Sequence, residues 1–276
     1  MSRLMTKNLD AEGFRSVFDN YDLFFIDLWG VVHNGIELHE NAIYTLSKIT
    51  EAKKNYILLT NAPRPNKIVK TFLEKLGLDK IMRENVFTSG EAALGYLKKN
   101  YLDHKFYHIG PPRDYDLFID FKNKKTEDIN KSDYLLCTGL HDQHDKDLNY
   151  YQKFLKNFTT KKMVCTNPDL IVNRGEKKEY CAGSVALIFE KIGGEVIYFG
   201  KPYPEVYNLA TKNNKKKIIA IGDNLRTDIK GANNMGYDSL VITSGIHNKE
   251  FKKEGIEKVL KNYNVKATFS QSILKW

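Results

Sequence analysis

Short apolar runs that stop at a polar or acidic residue constrain this chain most. Leu23–Ile26 is unbroken hydrophobic sequence and ends on Asp27. Tyr56–Leu59 ends in Thr60–Asn61, and Lys217–Ile221 in Gly222–Asp223. Runs of this length, rich in Ile, Leu and Phe, read as strands buried on both faces, as in a parallel sheet. Between them the apolar spacing turns helical: Asn41–Ala52 places Ala42, Ile43, Leu46 and Ile49 on one stripe. Pro65–Leu76 is a second helix with Gly77 as its stop, and Arg226–Met235 a third, stopped by Gly236. Ser239–Thr243 is a further strand. Strands alternating with helices give the α/β class with a mainly parallel, Rossmann-like sheet.

The middle of the chain repeats the pattern as a unit of its own. Glu91–Lys99 and Ser184–Lys191 are helical, Lys105–Ile109, Tyr134–Thr138 and Met163–Thr166 are strands, and polar Lys122–Lys131 is a surface loop. The expected division is a core from residues 1–83 and 200–276, with residues 84–199 inserted as a second α/β unit.

Three of the expected strand ends carry an acid or hydroxyl: Asp27, Thr60 and Asp223. In open parallel sheets ligands bind outside the carboxyl ends of the strands, so Asp27 and Asp223 can meet there. Two carboxylates at one point repel unless a cation joins them, and Mg²⁺ prefers oxygen ligands. The other reading of each Asp is a cap on the turn that follows it.

The local strings carry a resemblance. FFIDLWGVVHNG (Phe24–Gly35), LLTNAPRP (Leu58–Pro65), GKPYPEVY (Gly200–Tyr207) and IGDNLRTDIKGANNMG (Ile221–Gly236) resemble, in order, the four motifs of the haloacid dehalogenase superfamily. The likeness is closest to its class IIA branch of sugar- and nucleotide-phosphatase-like proteins, and it runs from about Tyr21 to Gly245. It implies a large α/β cap in the inserted middle. It also implies a Mg²⁺-dependent phosphoric-monoester hydrolase acting on small phosphorylated metabolites through an aspartyl-phosphate. Carried over residue by residue, Asp27 matches the nucleophile and Thr60 the hydroxyl that holds a phosphate oxygen, with Asn61 beside it. Lys201 matches the lysine that neutralises phosphate and nucleophile. Asp27, the Trp29 backbone carbonyl, Asp223 and Asp228 match the metal shell. In the cap, CTNPDLIVNRG (Cys165–Gly175) resembles a turn that places Asn167 and Asp169 over the site; an Asx-turn that merely fixes the loop is the competing reading.

One position departs from the family. The second motif-one Asp, which protonates the leaving oxygen and later activates water, is Trp29 here. Indole N–H is a donor only and exchanges no proton near neutrality. Three readings stay open: a substitute acid, with His33 the nearest titratable group; a slow phosphatase of activated esters; or a non-catalytic phosphate-ester-binding or regulatory protein.

Composition narrows the partners. The net charge is +9, but only seven of 43 basic residues are Arg and the Lys residues are scattered, so no nucleic-acid stripe is expected. The chain has no apolar run of membrane-spanning length, and its N-terminus lacks a signal-like stretch. Cys137, Cys165 and Cys181 form no CxxC and read as reduced thiols of a cytoplasmic protein. The run His141–Asp145 (HDQHD) reads as a solvated helix start rather than a metal site. Caps of this class often support homodimers, though no apolar stripe here demands one.

Overall fold

The computed structural model describes residues 5–174, 177–211 and 216–276; Gly175, the last residue of the Cys165–Gly175 string, lies outside them. In chain order the strands are β1 (Lys7–Asn8), β2 (Leu23–Ile26), β3 (Asn55–Thr60), β4 (Val86–Thr88), β5 (Phe106–Ile109), β6 (Tyr134–Cys137), β7 (Lys162–Cys165), β8 (Ile171–Arg174), β9 (Lys177–Tyr180), β10 (Glu195–Tyr198), β11 (Ile218–Gly222), β12 (Asp238–Ile242) and β13 (Phe269–Gln271). A seven-stranded sheet runs β1-β13-β12-β11-β2-β3-β4, parallel throughout. A four-stranded parallel sheet runs β10-β7-β6-β5, and β8–β9 is an antiparallel hairpin. The α/β class and the Rossmann-like core with a large inserted α/β unit are therefore present. Strand β4 pairs with β3, so the large sheet takes in residues beyond 83, where the first boundary was expected.

Alternation along β2 builds two cores. Phe24 and Ile26 enter one cluster with Leu46, Ile49 and Leu58, packed under the helix Glu40–Glu51. Leu23 and Phe25 face the other way and join Leu59 and Ala220. That second cluster continues through Ala93 and Leu97 of the helix Ser89–Asn100 into Phe106, Leu136 and Val164 of the small sheet. The two sheets thus share apolar packing, and truncating a side chain such as Phe25 should cost about 3–5 kcal/mol. Thr88 starts the connecting helix by accepting a hydrogen bond from the Glu91 N–H at 2.9 Å. The outer face of the small sheet has its own core around Leu135, Met163, Val185 and Phe189.

Several expectations shift in detail. The helices of the core run Glu40–Glu51 and Asn66–Lys75. The stretch around Lys122 is partly helical: Pro112–Lys124 forms 3₁₀ turns that bury Leu117, Phe118 and Phe121. Asp142–His144 is a single exposed-to-half-buried 3₁₀ turn, and Asp147 caps the helix Leu148–Leu155 that follows. The described residues hold no helix long and apolar enough to cross a membrane. All three cysteines are buried and free.

Candidate active site

Register explains how residues 27 and 223 meet. Strands β2 and β11 are neighbours with Ile26 opposite Ile221, and the Asp27 N–H continues the ladder onto the Ile221 carbonyl at 2.9 Å. Both chains leave the sheet at the same edge, so Asp27 and Asp223 emerge side by side. The chain after Asp27 turns sharply at Gly30, where φ is +81° and an added Cβ would strike the Asp223 carboxylate. Asp228 arrives from the turn after β11: its Oδ2 accepts the Asn224 N–H at 3.1 Å. One oxygen each from Asp27, Asp223 and Asp228 lie within 4.8 Å of one another, and all three residues are buried.

Lys201 sits among them. Its Nζ donates to Asp27 Oδ1 at 2.6 Å, to Asp228 Oδ1 at 2.6 Å and to the Leu59 carbonyl at 2.9 Å. Side-chain exposure is 4% for Lys201 and 10% for Asp27, so these are buried ion pairs. Burial opposes the Lys201 charge, yet the Asp228 and Asp27 carboxylates hold its proton affinity well above the ordinary lysine range. Burial and the Asp228 charge push the Asp27 carboxyl well above the usual carboxylate range, against the pull of Lys201. The same two causes lift Asp223 to about 7, although the Ile246 N–H bonds its Oδ2 at 2.8 Å. Three carboxylates face one ammonium, which leaves two negative charges uncompensated. That donor set, all oxygen and short by two positive charges, fits a hard divalent cation such as Mg²⁺.

Thr60, at the end of β3, is buried beside the site, and its Oγ1 accepts the Ala62 N–H at 3.3 Å, which leaves the hydroxyl proton to point elsewhere. Asn61 differs from expectation. Its Oδ1 accepts the Lys201 N–H at 2.7 Å, and its Nδ2 donates to the Lys201 carbonyl at 3.0 Å and to Asp169 Oδ1 at 3.2 Å. With both amide protons used, its side chain fixes the Lys201 backbone and has no donor left for phosphate. Arg226 turns away from the carboxylates and stacks over Tyr263 at 4.8 Å.

A cavity of about 200 Å³ opens over Asp27 and is bordered by strand β8 through Ile171, Val172 and Asn173. The Trp29 indole N–H donates to the Asn173 carbonyl, and the ring lies edge-on to His33 at 5.1 Å. An added Cβ at Gly35 would strike that indole. His33 is 2% exposed, packed also on Phe72 at 5.6 Å, and its Nδ1 accepts the Gly35 N–H at 3.0 Å. Burial, reinforced by His39, pushes its imidazole down to about 4. It does not line the cavity, so the nearest titratable group in sequence is structural. Asp169 and His39 do line it, and sequence reasoning missed His39 altogether, because nothing about a lone His twelve residues past Asp27 marks it. Asn167 forms the expected Asx-turn: its Oδ1 accepts the Asp169 N–H at 3.0 Å. Among the described residues the carboxylate triad is the one grouping of potential ligands, and His141–Asp145 forms none.

Comparison with known proteins gives the family. Residues 24–121 match the family model of haloacid dehalogenase-like hydrolases, and residues 198–264 a second, HAD-hydrolase-like model. Phosphoglycolate phosphatase 2 of Arabidopsis thaliana is 26% identical over 86% of this chain and 88% of its own. The crystal structure of a haloacid dehalogenase-like hydrolase from Brucella suis is 30% identical with a TM-score of 0.79, over 86% of this chain and 90% of that one. A 4-nitrophenylphosphatase from Thermotoga maritima shares the fold with a TM-score of 0.71 at 23% identity, over 94% and 96% of the two chains. These relatives make the chain, with its parallel core sheet, a phosphatase-class hydrolase. The chain belongs to the haloacid dehalogenase superfamily, in its class IIA phosphatase branch.

Proposed function

We propose that the chain is a Mg²⁺-dependent phosphoric-monoester hydrolase of small phosphorylated metabolites that works through a phosphorylated Asp27. The observation that carries this reading is the buried Lys201 ammonium held at 2.6 Å from both Asp27 and Asp228, with Asp223 in the same cluster. A nucleophilic carboxylate must approach an anionic phosphate, and a fixed positive charge at its side lowers that repulsion. All three Lys201 protons already have acceptors, so it acts on the incoming phosphate as a charge held in place rather than as a spare donor.

Asp27 attacks phosphorus. The Thr60 hydroxyl donates to a phosphate oxygen, while Asn61 and Asp228 position Lys201. Asp27, the Trp29 carbonyl, Asp223 and Asp228 would hold Mg²⁺; the close passage of Gly30 against Asp223 supports the Trp29 carbonyl as a member of this set. When bound, the ion supplies the two missing positive charges, which keeps Asp27 ionised and offsets the charge spread over the phosphoryl oxygens. Trp29 gives the loop after Asp27 no side-chain acid or base, and it ties that loop to strand β8 beside the cavity. The cavity's small size favours a compact phosphate ester. Inserted residues 89–199 act as the cap. Free, buried cysteines favour a cytoplasmic setting.

The test is release of inorganic phosphate from 4-nitrophenyl phosphate. Turnover that needs Mg²⁺, stops with chelator and is lost in Asp27→Asn supports the reading. Binding of phosphate esters with no turnover in any divalent cation returns the binding-protein alternative.

A further inference from the structure

The reading above leaves the leaving oxygen without a proton and the attacking water without a base. We propose that Asp169, contributed by the inserted unit, is the proton donor and acceptor of this reaction in place of the acid that position 29 lacks. The inference rests on the phosphatase reading and goes beyond it.

Asp169 lines the same cavity as Asp27, Trp29 and Lys201. It is held there by its surroundings. Its Oδ1 accepts from Asn61 Nδ2 at 3.2 Å and from Asn224 Nδ2 at 3.4 Å, and its backbone N–H is fixed by Asn167. Those two amides come from the loops after β3 and β11, so the cap's carboxyl is docked onto the core from two sides. Oδ1 thus takes both amide donors, which fixes the carboxyl's orientation in the cavity. The Thr227 hydroxyl also reaches this carboxyl. The charged and titratable groups facing it are the Lys201 ammonium, the Asp228 and Asp223 carboxylates and the Cys165 and Cys181 thiols. Burial raises its proton affinity to about 6, against the pull of Lys201. A carboxyl near the working pH can both give and take a proton.

The other titratable groups of the site are less suited. Asp27, Asp223 and Lys201 are committed to the nucleophile, the cation and the charge between them. His33 is outside the cavity with Nδ1 occupied. His39 borders the cavity at the side of Gly30 and Ser244, where a second cavity of about 390 Å³ begins, and burial lowers its proton affinity, which keeps it neutral near pH 7.

Both half-reactions balance. In the first, Asp27 forms a bond to phosphorus, the ester P–O bond breaks, and the leaving oxygen takes the Asp169 proton. In the second, the Asp169 carboxylate takes a proton from water as that water attacks phosphorus and the Asp27–phosphorus bond breaks. Phosphate leaves and Asp169 is protonated again.

The experiment compares wild type and Asp169→Asn with Mg²⁺ on 4-nitrophenyl phosphate and on glycerol phosphate, with kcat/KM reading the phosphoryl-transfer step. An aryl oxide leaves unaided and an alkoxide does not. The expected result is a loss of about 10²–10⁴-fold on glycerol phosphate, a change within about threefold on the aryl ester, and a phosphoenzyme that persists after a burst. Asp169→Glu, which keeps the carboxyl, should recover part of the alkyl-ester activity while Asp169→Asn does not. Equal losses on both esters would make Asp169 a positioning residue and overturn the proposal, as would no loss on either. A selective loss in His39→Gln instead would overturn it too. Failure of the wild type to form any phosphoenzyme would sink the phosphatase reading itself, a result distinct from all of these.

Discussion

Replacing Lys201 by Met tests the charge arrangement on which the site depends. The substitution keeps most of the side-chain volume and deletes one ammonium that makes three contacts of 2.6–2.9 Å at 4% exposure. Removing one partner of a buried ion pair costs about 3–5 kcal/mol, because the remaining charges stay buried and unpaired. Here those charges are the Asp27 and Asp228 carboxylates, with Asp223 beside them. The cost should depend on pH. Asp27 and Asp223 already bind protons more tightly folded than an ordinary carboxylate; Lys201 opposes this at both, beside the Ile246 N–H at Asp223. Without it their proton affinities rise further. A group whose folded affinity is raised stabilises the fold at low pH and loses that contribution as pH climbs toward its folded value. The Lys201→Met deficit should therefore be small near about pH 5 and approach the full about 3–5 kcal/mol near about pH 8. Mg²⁺ should narrow it at the higher pH by supplying the missing charge. Urea unfolding at the two pH values, with and without Mg²⁺, reads all of this. A deficit that is flat with pH and indifferent to Mg²⁺ would show that the three carboxylates do not share one electrostatic account.

Three further outcomes follow from the same geometry. His33 binds its proton far less tightly folded than free, about 4 against an ordinary 6.5. The unfolded chain therefore takes up the proton first as pH falls, and the fold loses stability between those values, by about 3 kcal/mol in full. His33→Gln should flatten that acid limb while leaving phosphoryl transfer intact; a variant with an unchanged acid limb contradicts the assignment. Trp29→Phe keeps the ring against His33 and Gly35 but removes the N–H held by the Asn173 carbonyl, so amide exchange in the β8–β9 hairpin should quicken about fivefold or more. Equal exchange in both proteins would show that the indole does not anchor the hairpin. Trp29→Asp in the Asp169→Asn background should return at least about tenfold of the lost activity on glycerol phosphate, since it restores an acid on the loop after Asp27; no recovery in a stably folded double variant would argue that position 29 does not reach the leaving oxygen.

The large sheet was legible because its strands are short apolar runs with abrupt polar ends, and the register of β2 with β11 follows once both runs are seen as neighbours. The triad and Lys201 could be named from motif strings, but their mutual distances depend on that register. What the sequence hid has physical reasons. Strands β8 and β9 carry Asn, Lys and Glu and no clean apolar alternation, and β8 lines a polar cavity instead of covering a core. The short strands β1 and β13, neighbours at one edge of the large sheet, offer too few residues for periodicity to show. Asn61 looked like a phosphate ligand because it stands beside Thr60 in the second motif. Its commitment to Lys201 crosses 140 positions of chain and has no local signature. His33 attracted attention by proximity in sequence, whereas burial between Trp29 and Phe72 removes it from the chemistry. Asn167 builds the turn, and Asp169, which that turn carries, lines the cavity.

The central claim is that Asp27 becomes covalently phosphorylated. Incubation with Mg²⁺ and ³²P-labelled acetyl phosphate, which needs no acid to release its leaving group, followed by acid quench and peptide mass spectrometry, tests it most directly. The account predicts label on Asp27 alone, none in Asp27→Asn, and longer-lived label in Asp169→Asn than in wild type. Label on another residue, or hydrolysis that proceeds undiminished in Asp27→Asn, would contradict it.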